Sequence, residues 1–163
     1  MFASRSDLLA RSNARRLAQL AVPADMDMVP SDALRLAISG GDLTGFTPEE
    51  QNALSLALDA IDKALADADA LMLSYGIPDT VQSALLARIA STIALYYLQG
   101  DERMTDDVQK MYDDAVNKLT AHAKGTINLL PADAGDAAAG DDSIVIESGP
   151  SRYGVRRYVD EDD

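Results

Sequence analysis

Apolar residues recur at helical spacing through most of the first 130 positions of the chain. The clearest run is a stripe with alternating steps of four and three residues, made of Leu54, Leu58, Ile61, Leu65, Ala68, Met72 and Tyr75. Such steps keep side chains on one face of an α-helix. Four acidic residues fall off the stripe, namely Asp59, Asp62, Asp67 and Asp69. The pattern predicts a long helix with an apolar face and an acidic outer face.

Start and stop signals frame this long helix. Thr47-Pro48-Glu49-Glu50 places a hydroxyl at the N-cap, proline at the first helical position and glutamate at N3, which is a capping box. Gly76 is a typical helix stop, because glycine adopts the left-handed backbone of a C-cap at little cost. The predicted helix is therefore Pro48–Tyr75.

Two more main helices are predicted downstream. Asp79 or Thr80 starts the first, which continues through Val81–Gln99, and its apolar character on most sides indicates a central position. One of its faces carries Val81, Leu85, Ile89, Ile93 and Tyr96. The second main helix covers Thr105–Lys124, is capped by its first residue and is stopped by Gly125.

Shorter helices precede these elements. Ser4 is the predicted cap of one or two short helices that break near Ser12-Asn13 and end at Val22-Pro23. Ser31 is the predicted cap of another, which Gly40-Gly41 ends. The expected fold class is all-α, a compact bundle of about three main helices with short N-terminal helices.

Two packing arrangements suit the apolar stripe. It can form an intermolecular coiled coil, or it can pack within the chain on the Val81–Gln99 helix through the turn Gly76-Ile77-Pro78. The shortness of the turn favours packing within the chain. The two arrangements coexist if one face packs inside and another meets a neighbouring subunit.

The composition changes abruptly after residue 130. Pro131–Asp142 contains only Pro, Ala, Asp and Gly, which predicts a flexible linker. Ser143–Ser148 has strand character, and Ser151–Val159 holds three Arg and two Tyr in nine residues. The predicted organisation is a helical domain over 1–130, a linker over 131–142 and an extended C-terminal arm with a strand over 143–163.

This arm has two interpretations, a disordered C-terminus or a docking arm that orders on a partner by strand addition. A solitary strand cannot satisfy its own backbone groups. A disordered tail also has little use for an Ile-Val-Ile run or for two spaced tyrosines. Docking is therefore favoured, and the predicted partner-binding residues are Ile144, Val145, Ile146, Arg152, Tyr153, Arg156, Arg157 and Tyr158.

Composition and charge narrow the class of function. The 163 residues include no cysteine and one histidine, and their net charge is -13. The lack of cysteine excludes a disulfide scaffold, a thiol nucleophile and sulfur-ligated zinc. The acidity argues against a nonspecific nucleic-acid binder. The chain start does not resemble a secretory signal, and no run approaches the roughly 20 apolar residues of a membrane span, so a reducing aqueous compartment is expected.

Candidate catalytic and metal-binding groups have simpler explanations. Three acidic pairs are candidates for metal binding or acid–base chemistry: Glu49-Glu50, Asp106-Asp107 and Asp113-Asp114. They are better explained as partners of the helix dipole in a first turn, or as part of a solvated helix face. His122 has no nucleophile nearby, so a helix-terminal or subunit-contact role is favoured over a ligand or base. Gly40-Gly41 is not followed by the Lys-Ser/Thr of a phosphate loop. We therefore expect no enzymatic activity, no metal and no cofactor.

The order of the parts resembles a known family. The similarity is carried by segments along nearly the whole chain: Met1–Arg11, Ala57–Tyr75, Ile77-Pro78, Leu85–Leu98, Val108–Val116, Gly125–Leu129 and Ser148–Tyr153. These segments resemble the Mu-like phage neck protein family, which consists of small head–tail connector (adaptor) proteins of tailed phages and prophages. The motifs are packing and surface patterns, and none of them is a catalytic signature.

The resemblance implies a non-enzymatic virion protein at the head–tail junction, assembled in the bacterial host cytoplasm. It implies a homo-oligomer, typically a ring of about twelve copies, beneath the portal protein. Such a ring meets tail-side neck or tail terminator proteins and lets genomic DNA pass through its lumen without specific binding. The alternative is a small acidic helical regulator or chaperone-like module that clamps one partner with its Arg/Tyr tail.

Overall fold

The computed structural model describes residues 1–100 and 104–131. These residues form six helices: α1 Arg5–Arg11, α2 Ala14–Ala21, α3 Ser31–Ile38, α4 Pro48–Ser74, α5 Ala84–Gln99 and α6 Asp106–Ala123. All six belong to one packed unit, Met1–Pro131. The all-α prediction is confirmed for this part of the chain, which contains no strand. The predicted arm with its strand lies outside the described residues, as does all of the predicted linker after Pro131.

Helices α4 and α5 share the largest helix–helix contact among the described elements. The apolar stripe predicted on α4 is the face that it buries, since Leu54, Ile61 and Leu65 are inaccessible to solvent. From α5 the same core takes Leu86, Ile89, Ala90, Ile93 and Ala94. The prediction that the stripe packs within the chain is therefore confirmed.

Local sequence signals set both ends of α4. The Thr47 hydroxyl accepts the Glu50 N–H at 3.2 Å, and the Glu50 carboxylate accepts the Thr47 N–H at 2.8 Å. At the other end Gly76 has φ of +83°. The Ile77 N–H reaches back to the Met72 carbonyl at 3.3 Å, which is the long bond of a Schellman motif. Both predicted signals of this helix are confirmed.

Helix α5 begins later than predicted. Neither Asp79 nor Thr80 caps it; Ser83 does, because its hydroxyl accepts the Leu86 N–H at 3.1 Å. Val81 precedes the helix, in a turn whose 3.2 Å bond joins its N–H to the carbonyl three residues earlier. The turn holds this segment out of the helix.

The buried face of α5 differs from the predicted face in the first turn of the helix. Ile89 and Ile93 are buried as predicted and Tyr96 is half-buried. Leu85 was predicted on the same face but is 45% exposed, and its neighbour Leu86 is fully buried instead. The predicted central position is confirmed, since α5 contacts α1, α2, α4 and α6.

The short N-terminal helices follow their predicted breaks. Ser4 caps α1 in a capping box with Asp7, and Asn13 caps α2. The prediction that Ser31 caps α3 is wrong: Pro30 occupies the N-cap, and Ser31 is the first helical residue. Proline offers no side-chain acceptor, so the first N–H groups of α3 donate to no side chain of the cap residue.

Part of the predicted acidic outer face of α4 holds the N-terminal segment. Asp69 accepts the Phe2 N–H at 2.9 Å, and Phe2 itself is buried. Asp62 pairs with Arg5 of α1, with 2.7 Å between the Arg5 Nε and the Asp62 Oδ1. Two of the four predicted surface carboxylates thus have structural partners, because α1 packs on α4.

Both ends of α6 lie where they were predicted, and the segment after the helix packs on the core. Thr105 occupies the N-cap position of this helix and Gly125 follows its end with φ of +71°, both as predicted. The Thr105 side chain makes no capping hydrogen bond. Leu129 is buried, so the chain after α6 folds back on the core.

Candidate interaction surface

The predicted partner-binding residues of the arm all lie outside the described residues: Ile144, Val145, Ile146, Arg152, Tyr153, Arg156, Arg157 and Tyr158. Their roles stay predictions. Within the described residues, the candidate region for a partner contact lies on the surface of the helical unit.

His122 has a structural role at the end of α6. It is half-buried, and its Nδ1 accepts the Leu129 N–H at 3.4 Å. This contact ties the segment after α6 to the helix, in agreement with the favoured helix-terminal role. Within residues 1–100 and 104–131, no group of three or more acidic or histidine side chains could hold a metal ion.

A groove lies along α2, α5 and α6 and the end of α1. It consists of three adjoining clefts of about 240, 570 and 210 Å³. The first cleft shares Arg16 and Leu20 with the second, and Arg11 and Met111 with the third. The clefts therefore adjoin one another, and together they are called the cationic groove.

Apolar side chains on α5 and α6 line this groove without being covered. Met111 of α6 is 49% exposed and Leu85 of α5 is 45% exposed. Leu95 and Val108 line the first cleft beside Met111. Exposed apolar side chains grouped in a concave surface are typical of a binding site.

A buried acceptor that finds no donor among the described residues lies in the same groove. Gln99, the last residue of α5, lines the first cleft and is 6% exposed. Its Oε1 makes no hydrogen bond within the described part of the chain. An unpaired buried acceptor costs about 1–3 kcal/mol, so this atom would gain from a donor brought by a ligand.

The groove is positively charged although the chain is strongly acidic. Five cations line it, namely Arg11, Arg15, Arg16, Arg88 and Lys118. Among its described lining residues, Asp114 is the one acid. No ion pair within the described ranges involves any of the five cations. The groove thus has an excess of four positive charges available to an anionic partner.

Arg11 is held in place at the centre of the groove. Its Nη2 donates to the Thr92 Oγ1 of α5 at 3.2 Å. Burial, and secondly the neighbouring Arg88, lower the pKa of Arg11 from its ordinary value. The two like charges are close enough to repel each other, and a carboxylate placed between them would relieve that repulsion.

Three tyrosines join α5 to α6 beside this surface. The rings of Tyr96 and Tyr112 stack with centroids 3.8 Å apart, and the ring of Tyr97 meets that of Tyr96 edge-on at 5.9 Å. Burial, with a hydrogen bond to Tyr112, raises the pKa of Tyr97 to about 12. The cluster makes α6 part of the rigid body that carries one wall of the groove.

The pattern of residues along the chain does not reveal the cationic groove. Arg15-Arg16 and Arg11 are near one another in the chain, and that local density of charge was the available signal. Arg88 and Lys118 come from distant helices, and only tertiary packing brings them to the same surface. The cleft chemistry suits an anionic, partly apolar segment, which arginine can hold through paired hydrogen bonds to carboxylates.

No helix in the described ranges is both long and apolar enough to cross a membrane. Nothing among the curated proteins or the solved structures matches the chain. A family model described as Bacteriophage Mu, Gp36 does match, over residues 2–147. The matched range contains all six helices and most of the chain. The resemblance to a Mu-like phage family is thereby confirmed, and the chain belongs to the Bacteriophage Mu, Gp36 family.

Proposed function

We propose that the protein is a virion structural protein, the head–tail connector (adaptor) of a Mu-like phage or prophage. In this role it forms a homo-oligomeric ring of about twelve copies beneath the portal protein. The ring joins the DNA-filled head to tail-side neck or tail terminator proteins and has no enzymatic activity. The proposal is carried by one observation, the family match over residues 2–147.

The helical unit has properties that suit such a part. Its main helices are joined by an Ala-rich core, in which Ala57, Ala64 and Ala68 of α4 are buried. Small side chains let helices approach closely, and close packing makes a stiff subunit. A stiff subunit with an accessible groove is suited to repeated, identical contacts around a ring.

The net charge supports the passage of DNA. Each copy has a formal charge of -13, so an assembled ring has a strongly negative field. Phosphates are repelled by such a lumen and DNA can slide through it, whereas a basic lumen would hold it. In this arrangement the cationic groove would be covered by a protein partner and would not line the channel.

Electron microscopy of tail-containing particles tests the proposal directly. The expected result is a ring of this chain between the portal and the tail. Absence of the chain from that junction would contradict the connector role. A small heterocomplex with one partner and no ring would instead support the acidic regulator.

A matched pair of variants tests the arm. Replacing Arg152, Arg156 and Arg157 by alanine should prevent the chain from joining portal-bearing particles, because these cations are predicted anchors. Replacing Arg35, Lys63 and Lys124 by alanine changes the net charge equally but affects the helical body. Equal incorporation of the two triple variants would contradict the arm's proposed role.

A further inference from the structure

We infer that the cationic groove binds the acidic and apolar segment Asp141–Glu147 of a second copy of this chain. The inference rests on the proposed function in one respect, which is that a ring places copies side by side. It goes further by assigning the surface that accepts the arm and the part of the arm that enters it.

The charge of the segment is complementary to that of the groove. The sequence Asp-Asp-Ser-Ile-Val-Ile-Glu contains three carboxylates and no cation. The groove offers five cations and one acid along its described lining. Arg11 and Arg88 repel each other and would be stabilised by a carboxylate between them. Opposite charges of this kind orient the two partners and disfavour the binding of incorrect partners.

The apolar residues of the segment also match the groove. Ile144, Val145 and Ile146 lie between its acidic ends, as the exposed Met111 and Leu85 lie among the cations of the groove. Burying apolar surface on both sides contributes about 25 cal/mol per Å². The acidic end Asp160–Asp163 has comparable charge but no apolar residue, so it fits the groove less well.

The unpaired acceptor of Gln99 gives an independent indication of a ligand. Its Oε1 is buried in the first cleft and receives no hydrogen bond from the described residues. An extended segment carries one backbone N–H per residue and can donate one to this oxygen. A metal ion or an unprotonated small anion in the cleft would bring no such donor.

The length of chain between the helical unit and the segment allows docking on another copy. Residues 132–140 separate Pro131 from the segment, and nine extended residues span at most about 30 Å. Head-to-tail docking, in which each groove takes the arm of the previous copy, is a heterologous contact that can close into a ring.

A binding titration tests the groove with the full chain. A labelled peptide of residues 139–149 is added to full-length protein in which Ile144 and Ile146 are replaced by serine, so that its own arm does not compete. Saturable binding is expected by fluorescence anisotropy, and it should weaken with added salt. A peptide with the same two serine replacements keeps the charge and should bind at least about tenfold more weakly.

Charge reversal locates the site. Arg16→Glu should weaken peptide binding by at least about tenfold, because it removes a cation shared by two clefts. Arg35→Glu changes the net charge equally on α3, which lines none of the three clefts. No binding of the peptide, or equal loss in the two variants, overturns the assignment.

Cysteine cross-linking identifies the copy that supplies the segment. The chain has no native cysteine, so engineered pairs have no background. Chains with Met111→Cys and chains of a different length with Ser143→Cys are mixed at a concentration above the peptide Kd and oxidised. A mixed dimer is expected, with much less of it when Leu56→Cys on α4 replaces Met111→Cys.

The outcomes separate this inference from the proposed function. Failure to form the mixed dimer overturns docking between copies. If a chain that carries both cysteines forms only an intramolecular disulfide, docking between copies is overturned as well. If the peptide binds but particles contain no ring of this chain, the connector role is contradicted and the assignment of the groove is retained. A ring in particles with no peptide binding would remove the groove assignment alone.

Discussion

Arg5 of α1 and Asp62 of α4 form a two-pronged ion pair across 57 positions of the chain, with the Arg5 Nε 2.7 Å from the Asp62 Oδ1. Paired hydrogen bonds of a guanidinium to a carboxylate fix direction as well as distance. The pair sets the position of α1 on the long helix, and α1 in turn supplies Arg11 to the cationic groove.

Removing this pair should have a modest, pH-dependent effect. The hydrogen bond from Arg5 lowers the pKa of Asp62 below its ordinary value of 3.8. The stabilisation is therefore present above about pH 4 and is lost as the pH falls through the lowered value. Both side chains are more than one-third exposed, so Asp62→Asn should lower the free energy of unfolding by no more than about 1 kcal/mol at pH 7.

Urea unfolding at pH 7 and pH 3 measures this contribution. The difference between Asp62→Asn and the unaltered chain should shrink at the lower pH. Asp25→Asn, in the exposed connection before α3, is the matched control and should have little effect at either pH. An equal loss of stability in the two variants would argue against the pair.

The two threonine caps should respond differently to alanine. Thr47→Ala removes a hydroxyl that accepts the Glu50 N–H and should lower the free energy of unfolding by about 1 kcal/mol. Thr105→Ala removes a side chain that makes no capping hydrogen bond, so its effect should be much smaller. Thermal unfolding of the two variants compares them, and a reversed order would show that the caps are misassigned.

Gly76 should tolerate a side chain less well than Gly45. A Cβ at either residue meets no atom within 4 Å, so crowding does not distinguish the two positions. Gly76 has φ of +83°, where an alanine is strained, whereas Gly45 does not have positive φ. Gly76→Ala should therefore destabilise the chain by about 1 kcal/mol, while Gly45→Ala should be neutral or slightly stabilising. Equilibrium unfolding in urea measures both, and equal effects would contradict the left-handed C-cap.

Tyr97 should lose its proton only in strong alkali. Its pKa is raised to about 12, mainly by burial. Because the folded state keeps the proton longer than the unfolded state, the stabilisation is full below about pH 10 and is lost as the pH rises towards 12. Phenolate absorbance during an alkaline titration should show a late-ionising phase that Tyr97→Phe removes. An unchanged late phase in that variant would assign the shift to another residue.

The helices were largely predictable because their ends are set by short-range chemistry. Thr47 with Glu50, and Gly76 with Ile77, make their bonds within a few residues, so the sequence contains the whole signal. The start of α5 was not predictable in the same way. Asp79, Thr80 and Ser83 can all cap a helix, and the turn that closes at Val81 decides among them.

The buried residue in the first turn of α5 was not predictable from the local pattern either. Leu85 and Leu86 are adjacent and equally apolar, so composition does not distinguish the one that is buried. Tertiary packing buries Leu86 in the core and leaves Leu85 in the groove. The groove itself depends on the packing of α1, α2, α5 and α6, and no local pattern specifies which charges meet there.

The Oε1 of Gln99, which has no donor among the described residues, would favour the proposed complex at the expense of the stability of the free chain. Leucine at this position would remove a buried polar cost from the isolated subunit, and it would also remove the acceptor that the groove offers. Under the proposed docking, a chain optimised for its own melting temperature would be a poorer building block. In that arrangement, the energetic cost of the buried Gln99 oxygen is removed only when a neighbouring copy supplies its donor.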